Sequence, residues 1–126
     1  ITVNGADRSI TQAIGGQITI DFSEDDNYEL QATSPADPYD EWAYGTIVMT
    51  DSGTVLTQGR DVIYPDVDTL YGGPSRLTFM FVNLTQQTLT IKRSGETGVA
   101  VPAGNAAFCW HDGTDIVAIA DILYET

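Results

Sequence analysis

Basic residues are scarce in this chain of 126: five Lys and Arg stand against 18 Asp and Glu, for a net charge of −13. A surface of that sign repels phosphate backbones and anionic lipid, which argues against nucleic-acid and membrane-surface partners. There is one cysteine, so no internal disulfide can staple the fold. No apolar run approaches the roughly 18 residues that span a bilayer. The opening stretch ITVNGADRSI lacks the basic and apolar regions of a signal peptide. There is no P-loop, no G-x-S-x-G, no dinucleotide fingerprint, no internal repeat and no low-complexity tract.

What the chain does have is alternation. In QITIDF, Ile18, Ile20 and Phe22 alternate with polar residues, and NYELQA repeats the pattern with Tyr28 and Leu30. Period two is the mark of a strand with one buried face. SRLTFMFVN places Leu77, Phe79 and Phe81 on one face and Met80 and Val82 on the other, as expected of a central strand covered on both sides. TLTIKR turns Leu89 and Ile91 inward, and with the preceding strand it reads as a hairpin. Turn signals such as Asn4-Gly5, Gly15-Gly16, Ala103-Gly104 and Asp112-Gly113 separate these runs. The segment DIVAIADIL fits a strand or a helix; its β-branched residues and the preceding Asp112-Gly113 favour the strand. The expected fold is all-β: one domain over residues 1–126, an antiparallel β-sandwich or a jelly-roll-like barrel.

Three clusters could carry chemistry. Cys109 and His111, the sole thiol and imidazole, stand at i and i+2 of a strand and so share a face. A rise near 3.3 Å per residue sets them roughly 7 Å apart, too far for a nucleophile and its base. They read as a half-buried thiol and a rim histidine, with Phe108 and Trp110 on the opposite, more apolar face. The acids of DFSEDDNYE lack the glycine and flanking helices of a calcium loop and read as a solvated hairpin tip. The loop TSPADPYDEWAYG carries Asp37, Asp40 and Glu41 beside Tyr39, Trp42 and Tyr44. Neighbouring acids on one loop are not opposed across a sugar, which argues against glycoside hydrolysis. The three aromatics could instead contact a glycan or a protein partner. The sequon Asn83-Leu84-Thr85 would matter only in a secretory pathway.

The stretch from Leu77 to Val117 carries Thr97-Gly98-Val99, Val101-Pro102-Ala103-Gly104 and Asp112-Gly113-Thr114 after an apolar strand ending in Val82-Asn83. In this it resembles small β-rich virion proteins of tailed bacteriophages, including tail-fibre and other surface modules. The resemblance implies a non-enzymatic structural role in the virion, first as a capsid decoration or cement protein, second as a small tail or neck component. It implies assembly with itself, a trimer favoured, and with other virion proteins, and it implies no cofactor and no metal. The apolar residues Ile116, Ala118, Ile119, Ile122 and Leu123 would be shared between subunits. The alternative is a carbohydrate- or receptor-binding module using the aromatic loop 35–45.

Overall fold

The computed structural model describes residues 16–32, 40–66 and 78–119. Nine strands form there: β1 (Gln17–Asp21), β2 (Tyr28–Glu29), β3 (Thr46–Thr50), β4 (Arg60–Tyr64), β5 (Thr78–Asn83), β6 (Leu89–Arg93), β7 (Val99–Val101), β8 (Ala106–His111) and β9 (Ile116–Ala118). A single 3₁₀ turn, Glu41–Ala43, is the only helical element among the described residues. The strands form two sheets, ordered β1-β3-β5-β8-β9 and β2-β4-β6-β7.

The chain is β-rich, as expected, but it is not an antiparallel fold. Four of the seven strand pairings are parallel: β1 with β3, β3 with β5, β2 with β4 and β4 with β6. Only β5–β8, β6–β7 and β8–β9 are antiparallel. The cause is the route of the chain. Up to β6 each strand lies in the sheet opposite its predecessor, so every second strand returns beside an earlier one in the same direction. Three windings, β1-β2, β3-β4 and β5-β6, therefore stack in register, Gln17 beside Thr46 and Thr46 beside Met80. The sheets remain separate and do not close into a barrel.

The expected hairpin between β5 and β6 is also replaced, because these strands belong to different sheets and the segment between them is a corner. True hairpins come later. The β8–β9 connection, with His111 opposite Ile116, needs four residues rather than two. There the Asp112 carboxylate accepts from the N–H groups of Thr114 and Asp115, and Gly113 adopts φ 104°. Gly98, before β7, combines φ 70° with an approach to Ile91 and Lys92 that leaves no space for a Cβ.

Both sheets contribute to one core. Ile20, Ile47, Met49, Phe79 and Phe81 line it from one side; Val62, Tyr64, Leu89, Ile91 and Val101 line it from the other. Tyr64 of β4 bridges the sheets. Its ring stacks on Phe79 at 5.2 Å and on His111 at 5.6 Å, and meets Trp42 edge-on at 6.3 Å. The alternation in β1, β5 and β6 is borne out at Ile20, Phe79, Phe81, Leu89 and Ile91, all inward and buried. β5 occupies the middle of the five-stranded sheet, the position its two apolar faces predict. Leu77 lies outside the described residues.

Candidate functional site

The polar residues cluster along the corners where the chain passes from the five-stranded to the four-stranded sheet. Asp21 ends β1 and reaches the next winding: it accepts from the hydroxyls of Thr50 and Ser52 and from the N–H groups of Ser52 and Gly53, at 2.7–3.1 Å. The Thr50 hydroxyl is the main cause of a carboxyl held below its ordinary range, against a smaller opposing effect of burial. Asp25 repeats the device. It accepts from the Thr57 hydroxyl at 2.6 Å and from the Arg60 guanidinium at 2.8 Å, which bring its pKa from 3.8 to about 2. Asn27 accepts from the N–H of Asp61 at 2.9 Å. These acids do not form a free hairpin tip; they tie the first corner to the second.

Asp51, 5% exposed, joins the second corner to the third, accepting from the N–H groups of Leu56 and Gln86. The third corner is organised by Asn83, which is fully buried. Its Nδ2 donates to the carbonyls of Gln87 and Val101, both at 2.8 Å. Its Oδ1 accepts from the N–H of Thr85 at 2.9 Å and from the Thr85 hydroxyl at 2.6 Å. Its backbone bonds Asn105 and Gly104 on the way into β8. With both amide hydrogens donated in the core, the sequon nitrogen is not presented for glycosylation. Gly104 at φ 79° makes the turn possible.

Lowering the pH checks the Asp25 contribution. Because its folded pKa lies below 3.8, its stabilisation is complete above that value and fades as the pH falls toward about 2. Asp25→Asn is expected to flatten the fall in denaturation midpoint across that window, relative to wild type, with little change in acid slope above pH 5.

Cys109 and His111 do share a face, but it is the inner one. Both are fully buried, while Phe108 and Trp110 point outward and are partly exposed. The expected rim position is corrected because the opposite sheet presents the flat ring of Tyr64 at this level, and an imidazole stacks on it. Burial pushes the Cys109 thiol up to about 12, so it is protonated and unreactive at neutral pH. Its sulfur faces the carbonyl of Ala107 at 3.6 Å. The Nε2 of His111 lies 3.1 Å from Nη1 of Arg93. A guanidinium only donates, so Nε2 is the acceptor in this contact. Arg93 also pairs with Asp66 at 3.3 Å.

Asp115 closes this end of the core. It accepts from the backbone N–H groups of Arg93, Gly98 and Ile116 at 2.7–3.1 Å. Burial raises its pKa, but these hydrogen bonds outweigh it and the net shift is downward. Asp115 thus locks Gly98, before β7, to the hairpin that carries Asp112-Gly113-Thr114.

In the aromatic loop, Trp42 is 7% exposed and belongs to the core. A buried indole has no open face on which a sugar could stack, and it meets Tyr64 in a T-shaped arrangement. Tyr44 is half-buried against the core, and Tyr39 lies outside the described residues, as does Asp37. Asp40 is buried, and Glu41 accepts from the Tyr28 hydroxyl at 2.8 Å and the Gln31 N–H at 2.7 Å. Among the described residues no group of three or more His, Cys, Asp or Glu could hold a metal ion, and no helix is long and apolar enough to cross a membrane.

Of the residues expected at a subunit interface, Ile116 is 1% exposed and fills this chain's own core. Ala118 is exposed and Ile119 partly so, whereas Ile122 and Leu123 lie outside the described residues. The corner roles of Asp51 and Asn83 were not anticipated. The signal available was a pair of polar residues placed directly at the ends of apolar strands. No family model matches this chain, and no curated protein or solved structure matches it.

Proposed function

We propose that this chain is a non-enzymatic structural component of a tailed-bacteriophage virion, in the first place a capsid decoration or cement protein and in the second a small tail or neck protein. Its frame is a two-sheet sandwich, and it acts by assembly, with further copies of itself in a trimer and with neighbouring virion proteins. The observation that carries this reading is the internal use of the reactive groups. The thiol of Cys109 and the imidazole of His111 are packed in the core, and Asp21, Asp25, Asp51 and Asp115 are engaged in holding corners and turns. The residues that carry the resemblance support it in the same way: Gly98 and Gly104 take positive φ, and Asp112-Gly113 makes the turn before β9. Glycan binding through loop 35–45 is the weaker reading, since Trp42 is buried.

The test is reconstitution. Purified protein added to particles assembled without it is expected to bind saturably at a fixed copy number and to raise their resistance to heat. Absence of binding to both capsids and tails would overturn the proposal.

A further inference from the structure

His111 is the chain's only imidazole, and the fold takes it wholly out of water. β4 lays the ring of Tyr64 on it at 5.6 Å, and β6 brings the Arg93 guanidinium to 3.1 Å from Nε2. Ile116 of β9 stands opposite it in register, while Cys109 shares its face of β8 and has Phe79 of β5 alongside. The charged groups on and beside these elements at this end are few. Arg93 pairs with Asp66 at 3.3 Å, and its backbone N–H bonds Asp115. Asp112 and Asp115 belong to the turn into β9, and Glu96 to the turn after β6, where its N–H bonds the Arg93 carbonyl. Lys92 is paired with Asp61. The contact between His111 and Arg93 therefore joins β8 of one sheet to β6 of the other.

We infer that His111 is an acid-sensitive latch: a proton on its ring breaks the contact with Arg93 and loosens the β8–β9 end of the sandwich. The lone pair of Nε2 that accepts from Arg93 is the one a proton would take, so proton and contact compete for it. Protonation would also set a second cation against the guanidinium at a site closed to water. In an unfolded chain an imidazole takes up its proton near about pH 6.5. The stabilisation from the contact is thus complete above that value and is lost as the pH falls below it. Imidazole is the one side chain that ordinarily changes charge between about pH 5 and 8. Cys109, pushed up to about 12 by burial, and Tyr64, also raised by burial, do not titrate there. The other end of β8 is held by the amide of Asn83, which has no proton to gain in this range, so acid loosens one end and leaves the other closed. This latch is a property of the chain itself and stands apart from the virion role.

Denaturant titration of the wild type and His111→Gln across this range tests it, since a glutamine amide can accept from Arg93 but does not titrate. Acid also relieves the self-repulsion of a chain at −13, so the reading is the difference between the two proteins. Relative to His111→Gln, the folding constant of the wild type is expected to fall about tenfold between about pH 7.5 and 5.5. Amide exchange locates the loosening: corrected for intrinsic rates, Gly98 and Ile116, both bonded to Asp115, are expected to speed up in acid, and Leu56 and Thr85 at the corners to stay protected. With a single histidine, the ring C2–H proton resonance reports this site alone. Should His111→Gln fail to fold, that resonance and amide exchange in the wild type decide the matter. Parallel pH profiles for the two proteins, or a folded-state resonance that titrates near about pH 6.5 with amide exchange unchanged, overturns the inference.

Discussion

Replacing Asn83 by Ala is expected to lower the stability of the folded chain by roughly 3–5 kcal/mol, among the largest effects of any single substitution. The loss is not that of one hydrogen bond. Removing the amide strands the Val101 carbonyl and the Thr85 N–H at a buried site, while the Thr85 hydroxyl and the Gln87 carbonyl keep only their 3.0 Å bond to each other. Each buried group left unmade costs about 1–3 kcal/mol, and relaxation of the corner recovers part of the total. Asn83→Asp separates shape from donation. The carboxylate has nearly the same outline but cannot donate, and it would face two carbonyl oxygens in the core. It is therefore expected to be at least as damaging as Ala at neutral pH. Denaturant titration reads both: the midpoint falls while the slope stays as in wild type. A loss below about 1 kcal/mol for both variants would show that Asn83 does not organise the corner.

Tyr64→Ala is the second large effect, expected at about 3–5 kcal/mol, with a fall in Tm on the order of 10–20 °C. Its ring is fully buried and sits between Phe79 and His111 of one sheet while belonging to the other. Deletion leaves a cavity between the sheets that rigid strands cannot collapse. The hydroxyl matters much less: it meets the carbonyl of Trp42 at 3.5 Å, at the limit of a hydrogen bond. Tyr64→Phe is therefore expected to cost under about 1 kcal/mol. Near-UV circular dichroism provides an independent reading, because Trp42 packs edge-on to this ring. A Phe variant as unstable as the Ala variant would shift the weight from ring packing to the hydroxyl.

The strands of this protein could be read from alternation because alternation is local. Ile20, Phe79, Phe81, Leu89 and Ile91 were placed inward by period two, and all are buried. The same rule was ambiguous for β8, where both faces carry apolar residues. Cys109 and His111 read as a half-buried thiol and a rim histidine opposite the more apolar Phe108 and Trp110, yet they are the pair inside. The space there is already taken by Tyr64, a residue distant in sequence. Trp42 illustrates the converse: an aromatic on an irregular, proline-rich loop reads as exposed until β4 supplies the ring it packs against.

The sequence by itself determined a β-rich chain, its turns at Ala103-Gly104 and Asp112-Gly113, and a charge that disfavours nucleic acid. These follow from backbone preferences and composition, which need no distant partner. Only the tertiary structure decided which strands pair, and in which direction. Leu89 follows Asn83 closely enough to suggest a hairpin, but the buried amide of Asn83 holds the chain in a corner and sends β6 to the other sheet. Parallel pairing joins residues that no local pattern relates, because a parallel neighbour is always a full winding away. Its register is set by contacts such as Asp21 with Gly53 and Asp25 with Arg60, which come into being only when the windings stack.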